Sequence, residues 1–227
     1  PCPENGVISI SCDITEEASV NNAVEKVVSE AGRIDVFICN AGYGISGAVE
    51  VTDIETAKKQ LDVNFWGAMR RIRAVRPYMR KNSAGHIIVT SSVAGAIGIP
   101  FQAYYSATKA SLNSIVLAVG NEVRSYGIKL CAVMPGDIKT GFTSARNKIN
   151  EGAESYSSLA KSVASMEHDE QNGMPPIAIA KKFYSLSVKK NPKPLCSVGL
   201  MYKACCMLIK LLPCRLANWI VGKMYAS

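Results

Sequence analysis

The run HIIVTSSVAGAIGIPFQAYYSATK, residues 86–109, joins a strand pattern to a helix pattern through a polar turn. Its first part, HIIVTSS (86–92), is rich in β-branched residues and predicts a buried strand. On the helix that follows, Tyr105 and Lys109 are four residues apart, so their side chains share one face, where an ammonium group can stabilise a phenolate. This spacing also occurs on ordinary helix surfaces, so the pair alone does not define a site.

Strand patterns alternate with helix patterns on both sides of this run. In chain order they are the strand VISISC (7–12), a helix through about Ala31, the strand IDVFICN (34–40), a helix from about Asp53 to Arg80, a helix from near Ala103 to Tyr126 and the strand IKLCAVMP (128–135). This alternation predicts an α/β fold, a Rossmann-like doubly wound parallel sheet with ligands bound beyond the carboxyl ends of its strands.

The pattern loosens after Thr140. A polar, serine-rich stretch follows, in which His168 is expected to lie in a loop, and a helix is expected between Pro175-Pro176 and Asn191-Pro192. The tail, 199–227, returns to apolar sequence, and Pro213 divides it into two short helical pieces. The serine-rich stretch and the helix after it, but not the tail, are the natural candidate for a substrate lid.

Two further polar residues accompany the tyrosine and the lysine. Ser92 ends the predicted strand, so the start of the next helix can bring its hydroxyl and the Tyr105 phenol to one substrate oxygen. Asn64 interrupts an otherwise helical stretch, VNFWG, and an asparagine there can leave backbone groups free to hold water. Neither histidine, His86 nor His168, has a nucleophile at a recognisable spacing, so both are expected to be structural or surface residues.

With these additions the chain resembles the short-chain dehydrogenase/reductase family. The matching residues are the tetrad Asn64, Ser92, Tyr105 and Lys109 and the motifs Asn40-Ala41-Gly42, SSVAG (91–95) and PGDIKT (135–140). The resemblance covers residues 7–140, and PKPLCSVG (192–199) is similar to the final strand region of steroid- and retinoid-type members. It implies one domain, 1–227, with a cofactor and catalytic core in 1–140 and a substrate loop with C-terminal helices in 141–227.

The resemblance also implies roles for these residues. Tyr105 would exchange a proton with the substrate oxygen while hydride passes to or from NAD(P), and Ser92 would hydrogen-bond that oxygen. Lys109 would lower the pKa of Tyr105 and hold the nicotinamide ribose, and Asn64 would position a water. The implied cofactor contacts are Asp13, Ile14, Asn40, Ala41, Gly42, Tyr105, Lys109, Pro135, Gly136, Ile138 and Thr140. The choice between NAD and NADP stays open.

One family feature is missing from the chain. No TGxxxGxG loop, which normally receives the cofactor pyrophosphate, is found in the sequence. We therefore expect an N-terminally truncated sheet in which the strand 7–12 lacks a neighbour, and a fragment without catalytic activity is an alternative interpretation. The same Tyr and Lys spacing occurs in sugar-nucleotide epimerases and dehydratases, but the short C-terminal part favours simple alcohol and ketone chemistry.

The composition limits the kinds of partner that we expect for this protein. The net charge is +8, but the basic residues of 70–81 alternate with apolar ones at helical spacing, so a solvated helix face is expected rather than nucleic-acid binding. The eight cysteines are expected to be buried thiols and bind no metal. We expect a cytoplasmic homo-oligomer acting on a small, lipophilic alcohol or ketone, and an alternative interpretation makes 200–224 an amphipathic segment that contacts membrane surfaces.

Overall fold

A parallel sheet forms the centre of the protein. The computed structural model describes residues 6–226. Its strands are β1 (Val36–Cys39), β2 (Ile45–Ser46), β3 (Gly85–Thr90), β4 (Ile128–Met134), β5 (Asn147–Lys148) and β6 (Leu195–Ser197). Four of them pair in parallel in the order β1-β3-β4-β6, and β2 and β5 form a separate two-stranded parallel pair. The expected α/β class and parallel sheet are confirmed.

Helices connect and cover these strands. They are α1 (Glu17–Ala31), α2 (Ile54–Leu61), α3 (Gly67–Lys81), α4 (Ala103–Glu122), α5 (Leu159–Gln171), α6 (Pro176–Ser187), α7 (Leu200–Leu211) and α8 (Cys214–Tyr225). A π-helical turn, Asp62–Trp66, joins α2 to α3, and short 3-10 turns lie at Val93–Gly95, Arg124–Tyr126 and Ala153–Ser155. Gly32 ends α1 in the left-handed conformation, with φ of 75°, which glycine adopts without steric cost.

The two faces of the sheet carry separate hydrophobic cores. Alternate residues of a strand point to opposite faces, so Ile87 and Val89 pack against α1, α3 and α4, whereas Ile88 faces α6. The same alternation in β4 places Leu130 in the first core and Cys131 in the second. Helices therefore cover both faces, as the doubly wound interpretation requires.

The prediction of a strand at 7–12 is wrong. These residues have extended or irregular backbone without strand pairing, and Val7 and Ile8 are 50% and 67% exposed. A strand is held by the ladder of hydrogen bonds to its neighbour. Within residues 6–226, no strand lies beside this segment or on the free edge of β1.

The polar stretch after Thr140 contains a helix that the sequence pattern did not indicate. His168 lies on α5 rather than in a loop. Only Leu159, Ser162 and Met166 of this helix are buried, which gives it a weak apolar face. The helix expected after Pro175 and the two helices divided by Pro213 are confirmed.

Two expectations about side-chain burial are wrong in part. Among the described cysteines, four are buried, but Cys12, Cys205 and Cys214 are exposed, and Cys2 lies outside the described residues. Arg71 does not extend into solvent with the other basic residues of α3, because its Nε donates to the Gly67 carbonyl and the residue is only 8% exposed. None of the helices in residues 6–226 has both the length and the apolar character needed to cross a bilayer.

Candidate active site

A cavity of about 970 Å³ opens at the carboxyl ends of β1, β3 and β4. Asn40 follows β1 directly, Ser92 follows β3, and Pro135 and Gly136 follow β4, and all four residues line the cavity. Ligands of parallel sheets bind at this edge because the loops that carry polar groups converge there. The first turns of α4 add Tyr105 and Lys109 to the same wall.

Tyr105 and Lys109 face the cavity together. The Lys109 Nζ lies 5.5 Å from the centroid of the Tyr105 ring and donates to the Thr90 carbonyl at 2.8 Å. Burial, together with the smaller effect of the nearby Arg71 guanidinium, lowers the pKa of Lys109 to about 8. This lysine therefore changes its charge much closer to neutral pH than an exposed lysine does.

Burial is also the largest influence on the pKa of Tyr105. The pKa of its phenol is raised to about 12, and loss of solvation is the largest cause; a hydrogen bond with the Ser92 hydroxyl acts to lower this pKa, and the Glu170 carboxylate acts to raise it. The Arg146 guanidinium acts in the lowering direction, and the Asp137 carboxylate in the raising direction. Ser92 and Arg146 thus favour the phenolate, whereas burial and the two carboxylates oppose it. The expectation that Lys109 lowers this pKa remains a prediction.

Ser92 is held in place by close packing between its loop and α4. The Ser92 Oγ accepts a hydrogen bond from the Ala94 backbone at 3.1 Å, and the Ser91 hydroxyl donates to the Lys109 carbonyl at 3.1 Å. A Cβ at Gly95 would lie 2.7 Å from the Lys109 backbone, so only glycine permits this approach. The serine hydroxyl therefore reaches the Tyr105 phenol from a rigid turn.

Asn64 lies in the π-helical turn and is buried behind the loop that follows β1. Its Oδ1 accepts from the Tyr43 backbone N–H at 3.0 Å, while its Nδ2 donates to the Tyr43 carbonyl at 2.9 Å and to the Thr108 hydroxyl at 3.2 Å. The side chain thus clamps the backbone beside the cavity onto α4. The expected water site on the Asn64 backbone remains a prediction.

Gly42 is the point of closest approach between this loop and the catalytic candidates. A Cβ at Gly42 would lie 2.9 Å from the Asn64 Oδ1 and 3.7 Å from the Lys109 Nζ. Such a contact is shorter than Cβ atoms normally make, so a side chain at this position would force the Asn64 amide or the loop to shift. Its neighbour Asn40 is fixed by the Thr90 hydroxyl, which donates to the Asn40 Oδ1 at 2.8 Å.

These groups fit the nicotinamide half of a dinucleotide. The cavity wall presents the Lys109 ammonium, the Asn40 amide and the Thr140 hydroxyl, which supply the donors and acceptors that ribose hydroxyls and a carboxamide require. Gly42 and Gly136 line the same cavity, and their lack of side chains leaves the backbone there uncovered on the cavity side. The other half of a dinucleotide has no glycine-rich phosphate loop in this sequence to receive it.

The structure brings most of the predicted site residues together. Those that line the cavity are Asn40, Gly42, Ser92, Tyr105, Lys109, Pro135, Gly136, Ile138 and Thr140. Those that do not line it are Asp13, Ile14, Ala41 and Asn64. Asp13 caps its own turn by accepting from Thr15, and Ile14 packs against Gly67 at the start of α3.

Several residues that the sequence interpretation passed over also act at this site. Thr90 holds both Asn40 and Lys109, and its position inside the TSS run beside Ser92 was a usable signal. Phe142 packs against Tyr105 with ring centroids 5.6 Å apart, and no local pattern points to it. The buried Arg146 donates to the Glu170 carboxylate, which also accepts from the Thr143 hydroxyl at 2.7 Å.

The far wall of the cavity is apolar and comes from the C-terminal helices. Its side chains include Ile179, Phe183, Met201, Leu208, Ile209, Ile220, Val221 and Met224. Against this wall, the Tyr202 ring lies over Gly136, where a Cβ would approach it to 2.2 Å, and the Tyr202 hydroxyl donates to Asp137. The cavity thus has a polar end at the sheet and an apolar end at α6, α7 and α8.

The chain is similar to known proteins in both sequence and structure. A family model described as short chain dehydrogenase matches residues 2–151. The 3-ketodihydrosphingosine reductase of Bacteroides thetaiotaomicron is 38% identical over 215 residues, which cover 93% of this chain and 77% of that protein. Human 17-beta-hydroxysteroid dehydrogenase type 1 is 30% identical over 85% of this chain, and the match spans 60% of the human protein.

Solved structures also resemble this chain. The structure of a short-chain dehydrogenase from Streptomyces avermitilis superposes with a TM-score of 0.79 at 25% identity, covering 92% of this chain and 77% of that one. The structure described as ElxO with NADP bound superposes with a TM-score of 0.70 at 28% identity, covering 86% of this chain and 77% of that one.

Proposed function

Because the chain belongs to the short-chain dehydrogenase/reductase family, we propose that it is an NAD(P)-dependent oxidoreductase that interconverts a ketone and a secondary alcohol. One observation carries the proposal. The Ser92 hydroxyl, the Tyr105 phenol and the Lys109 ammonium meet at the polar end of one cavity. A carbonyl oxygen that entered this end would lie between a hydrogen-bond donor and a proton donor.

The proton chemistry belongs to two side chains. Tyr105 gives a proton to the substrate oxygen in reduction and removes one in oxidation, and Ser92 hydrogen-bonds the same oxygen. The Tyr105 phenol is neutral near pH 7, since burial raises its pKa to about 12, so the protein favours the proton-donating form. When bound, NAD(P) supplies or accepts the hydride.

Lys109 and the loop after β1 would hold the nicotinamide half of the cofactor. The Lys109 ammonium is fixed by the Thr90 carbonyl and remains beside the Tyr105 ring. Asn40 and Gly42 line the adjacent wall, and Asn64 keeps the path of this loop fixed through Tyr43. A substrate oxygen would thereby be oriented against groups that hydrogen bonds hold in place.

We propose a lipophilic substrate. The cavity end contributed by α6, α7 and α8 is lined mostly by aliphatic, methionine and aromatic side chains, which bind apolar bodies without leaving polar groups unpaired. Two relatives carry names that specify a keto sphingoid base and a hydroxysteroid. We also retain as proposals the division at residue 140 between catalytic core and substrate region, and a homo-oligomeric state.

Replacing the phenol tests the reaction. We expect Tyr105→Phe to lower the rate of ketone reduction by about 10²- to 10⁴-fold, the usual contribution of a general acid. The measurement is NAD(P)H oxidation, followed at 340 nm, with a 3-keto sphingoid base, a ketosteroid and a short aliphatic ketone as substrates. Tyr104→Phe, which changes the neighbouring residue of α4, is the matched control.

The two variants separate the possible outcomes. Unchanged turnover in Tyr105→Phe, with Tyr104→Phe equally active, would contradict the assigned proton donor. Higher kcat/KM for the short ketone than for both bulky ones would contradict the lipophilic substrate and leave the reaction type intact.

A further inference from the structure

The last two helices bury only a narrow stripe of their surface. Within α7, Cys206 is buried, and within α8, Ala217 and Val221 are buried. Most of the remaining circumference of each helix faces outward. Since both helices are rich in large apolar residues, this arrangement leaves apolar side chains in solvent.

The outward side chains are large and strongly exposed. Leu200 is 85% exposed, Leu211 76%, Met207 65% and Trp219 59%. None of these four lines the active-site cavity. We call them, together with the exposed Leu216, the α7–α8 surface. Leu200, Met207 and Leu211 are seven and four residues apart and so share one face of α7. Exposed apolar residues of this size usually mark a contact with another apolar phase or partner.

The charged residues of the two helices themselves are all basic. Residues 195–227 contain Lys203, Lys210, Arg215 and Lys223 and no Asp or Glu. Lys203, Lys210 and Arg215 are exposed. A long basic side chain can lay its methylene stem on apolar surface while its charge reaches a polar headgroup.

The same two helices form the apolar wall of the cavity. Met201, Leu208 and Met224 line the cavity and are also 64%, 53% and 63% exposed. These three residues therefore lie where the cavity meets the outer surface. An apolar molecule that crosses this rim passes directly from the α7–α8 surface into the cavity.

We propose that the α7–α8 surface docks on an anionic lipid bilayer, lying in its interface, so that the cavity rim opens toward the lipid. Apolar side chains would enter the acyl boundary, the basic residues would meet anionic headgroups, and Trp219 would lie at the headgroup level. A second copy of the chain is a poorer occupant, since a two-fold contact brings identical basic patches together. Docking does not depend on the proposed reaction and is measured by binding alone.

Vesicle flotation of the full chain tests the proposal. We expect flotation with phosphatidylcholine vesicles that contain about 30 mol% phosphatidylserine, and weaker binding to pure phosphatidylcholine. The triple variant Leu200→Gln, Leu211→Gln, Trp219→Gln should bind roughly tenfold more weakly or worse. Val49→Ser with Ile54→Gln, which changes residues 53% and 57% exposed elsewhere in the chain, should bind like the parent.

Two further measurements keep the test independent of whether the triple variant folds. Lys203→Gln with Lys210→Gln should weaken binding to the anionic vesicles by about fivefold per residue, with no loss on neutral ones. In Trp66→Phe, the remaining Trp219 should show a blue-shifted emission when anionic vesicles are added. An unshifted emission, or a parent chain that floats with neither vesicle, would refute docking.

One result would assign the surface to another occupant. If sedimentation shows that the parent is a dimer and that the triple variant is a monomer, a second copy covers the α7–α8 surface and the lipid proposal is wrong.

Discussion

The buried Lys109 ammonium is the most demanding single group in the site. It lies at 4% exposure, keeps a hydrogen bond to the Thr90 carbonyl, and has a neighbouring guanidinium in Arg71. A charge in such a place costs free energy of folding, which ordinary core positions avoid. The site therefore keeps a group that is unfavourable for stability, which fits the role in cofactor binding that we propose for its charge.

This cost should appear in the pH dependence of stability. The pKa of Lys109 is about 8 in the folded protein and 10.5 when exposed, so between these values the unfolded chain binds more protons. The free energy of unfolding of the parent, relative to Lys109→Met, should thus rise from pH 8 to pH 10 by an amount on the order of 3 kcal/mol at most. Urea denaturation of both proteins measures it, and parallel curves for the two proteins would refute the shifted pKa.

Gly42 makes a second prediction at the residue scale. Gly42→Ala would press a methyl group to 2.9 Å from the Asn64 Oδ1 and disturb the clamp on Tyr43. Overpacking of this kind costs about 1–3 kcal/mol. We expect lower stability and weaker cofactor binding, measured by thermal unfolding and by calorimetric titration.

Gly98→Ala is the matched control, since a Cβ at Gly98 meets nothing within 4 Å. Equal cofactor affinity in both variants would show that the loop has room at Gly42.

At the scale of elements, a buried ion pair between Arg146 and Glu170 joins the segment between β4 and β5 to α5. Arg146 and Glu170 have side chains only 1% and 12% exposed, and the Arg146 guanidinium lies 5.7 Å from the Phe142 ring centroid. The Phe142 ring in turn packs against Tyr105. The pair therefore fixes the loop that forms one side of the active site.

Replacing one partner of this ion pair should destabilise the protein more than replacing both partners. Glu170→Met leaves a buried guanidinium without its anion, which costs about 3–5 kcal/mol, whereas replacing both partners by apolar residues is often neutral. We expect Arg146→Met with Glu170→Met to recover most of the loss. Chemical denaturation of the parent, both single variants and the double variant gives the coupling energy, and additive effects would contradict a direct pair.

At the scale of the whole molecule, the sheet is covered unevenly. Strand β4 is central, with β3 on one side and β6 on the other, whereas β1 forms an edge within the described residues. Val36 and Ile38 of β1 are each 39% exposed, and residues 7–12 lie without strand pairing. Local stability should follow this gradient, because exposed and unpaired backbone opens first.

Hydrogen exchange measures the gradient. We expect the amides of residues 7–12 to exchange at nearly the rate of an unfolded chain, and the amides of β4 to exchange only through global unfolding. The amides of β1 should be protected less than those of β4. Protection of 7–12 equal to that of β4 would show that this segment pairs with a strand in solution.

The sequence alone was sufficient wherever a short period fixes the geometry. A spacing of four residues on a helix places Tyr105 and Lys109 on one face. Alternate residues of β3 and β4 point to opposite faces of the sheet and so belong to different cores. Both features were therefore predictable. Helix α5 was missed because its few apolar residues gain burial only from distant partners, such as the contact of Met166 with Gln102.

Tertiary structure decided what depends on long-range contact and on burial. Asn64 meets Tyr43 and Thr108, and Arg146 meets Glu170, across chain separations that no periodicity encodes. The helical spacing put an ammonium beside a phenol, but it could not give the direction of their pKa shifts. Removal from water raises the pKa of Tyr105 and lowers that of Lys109, and only the folded chain determines how far each group is removed from water.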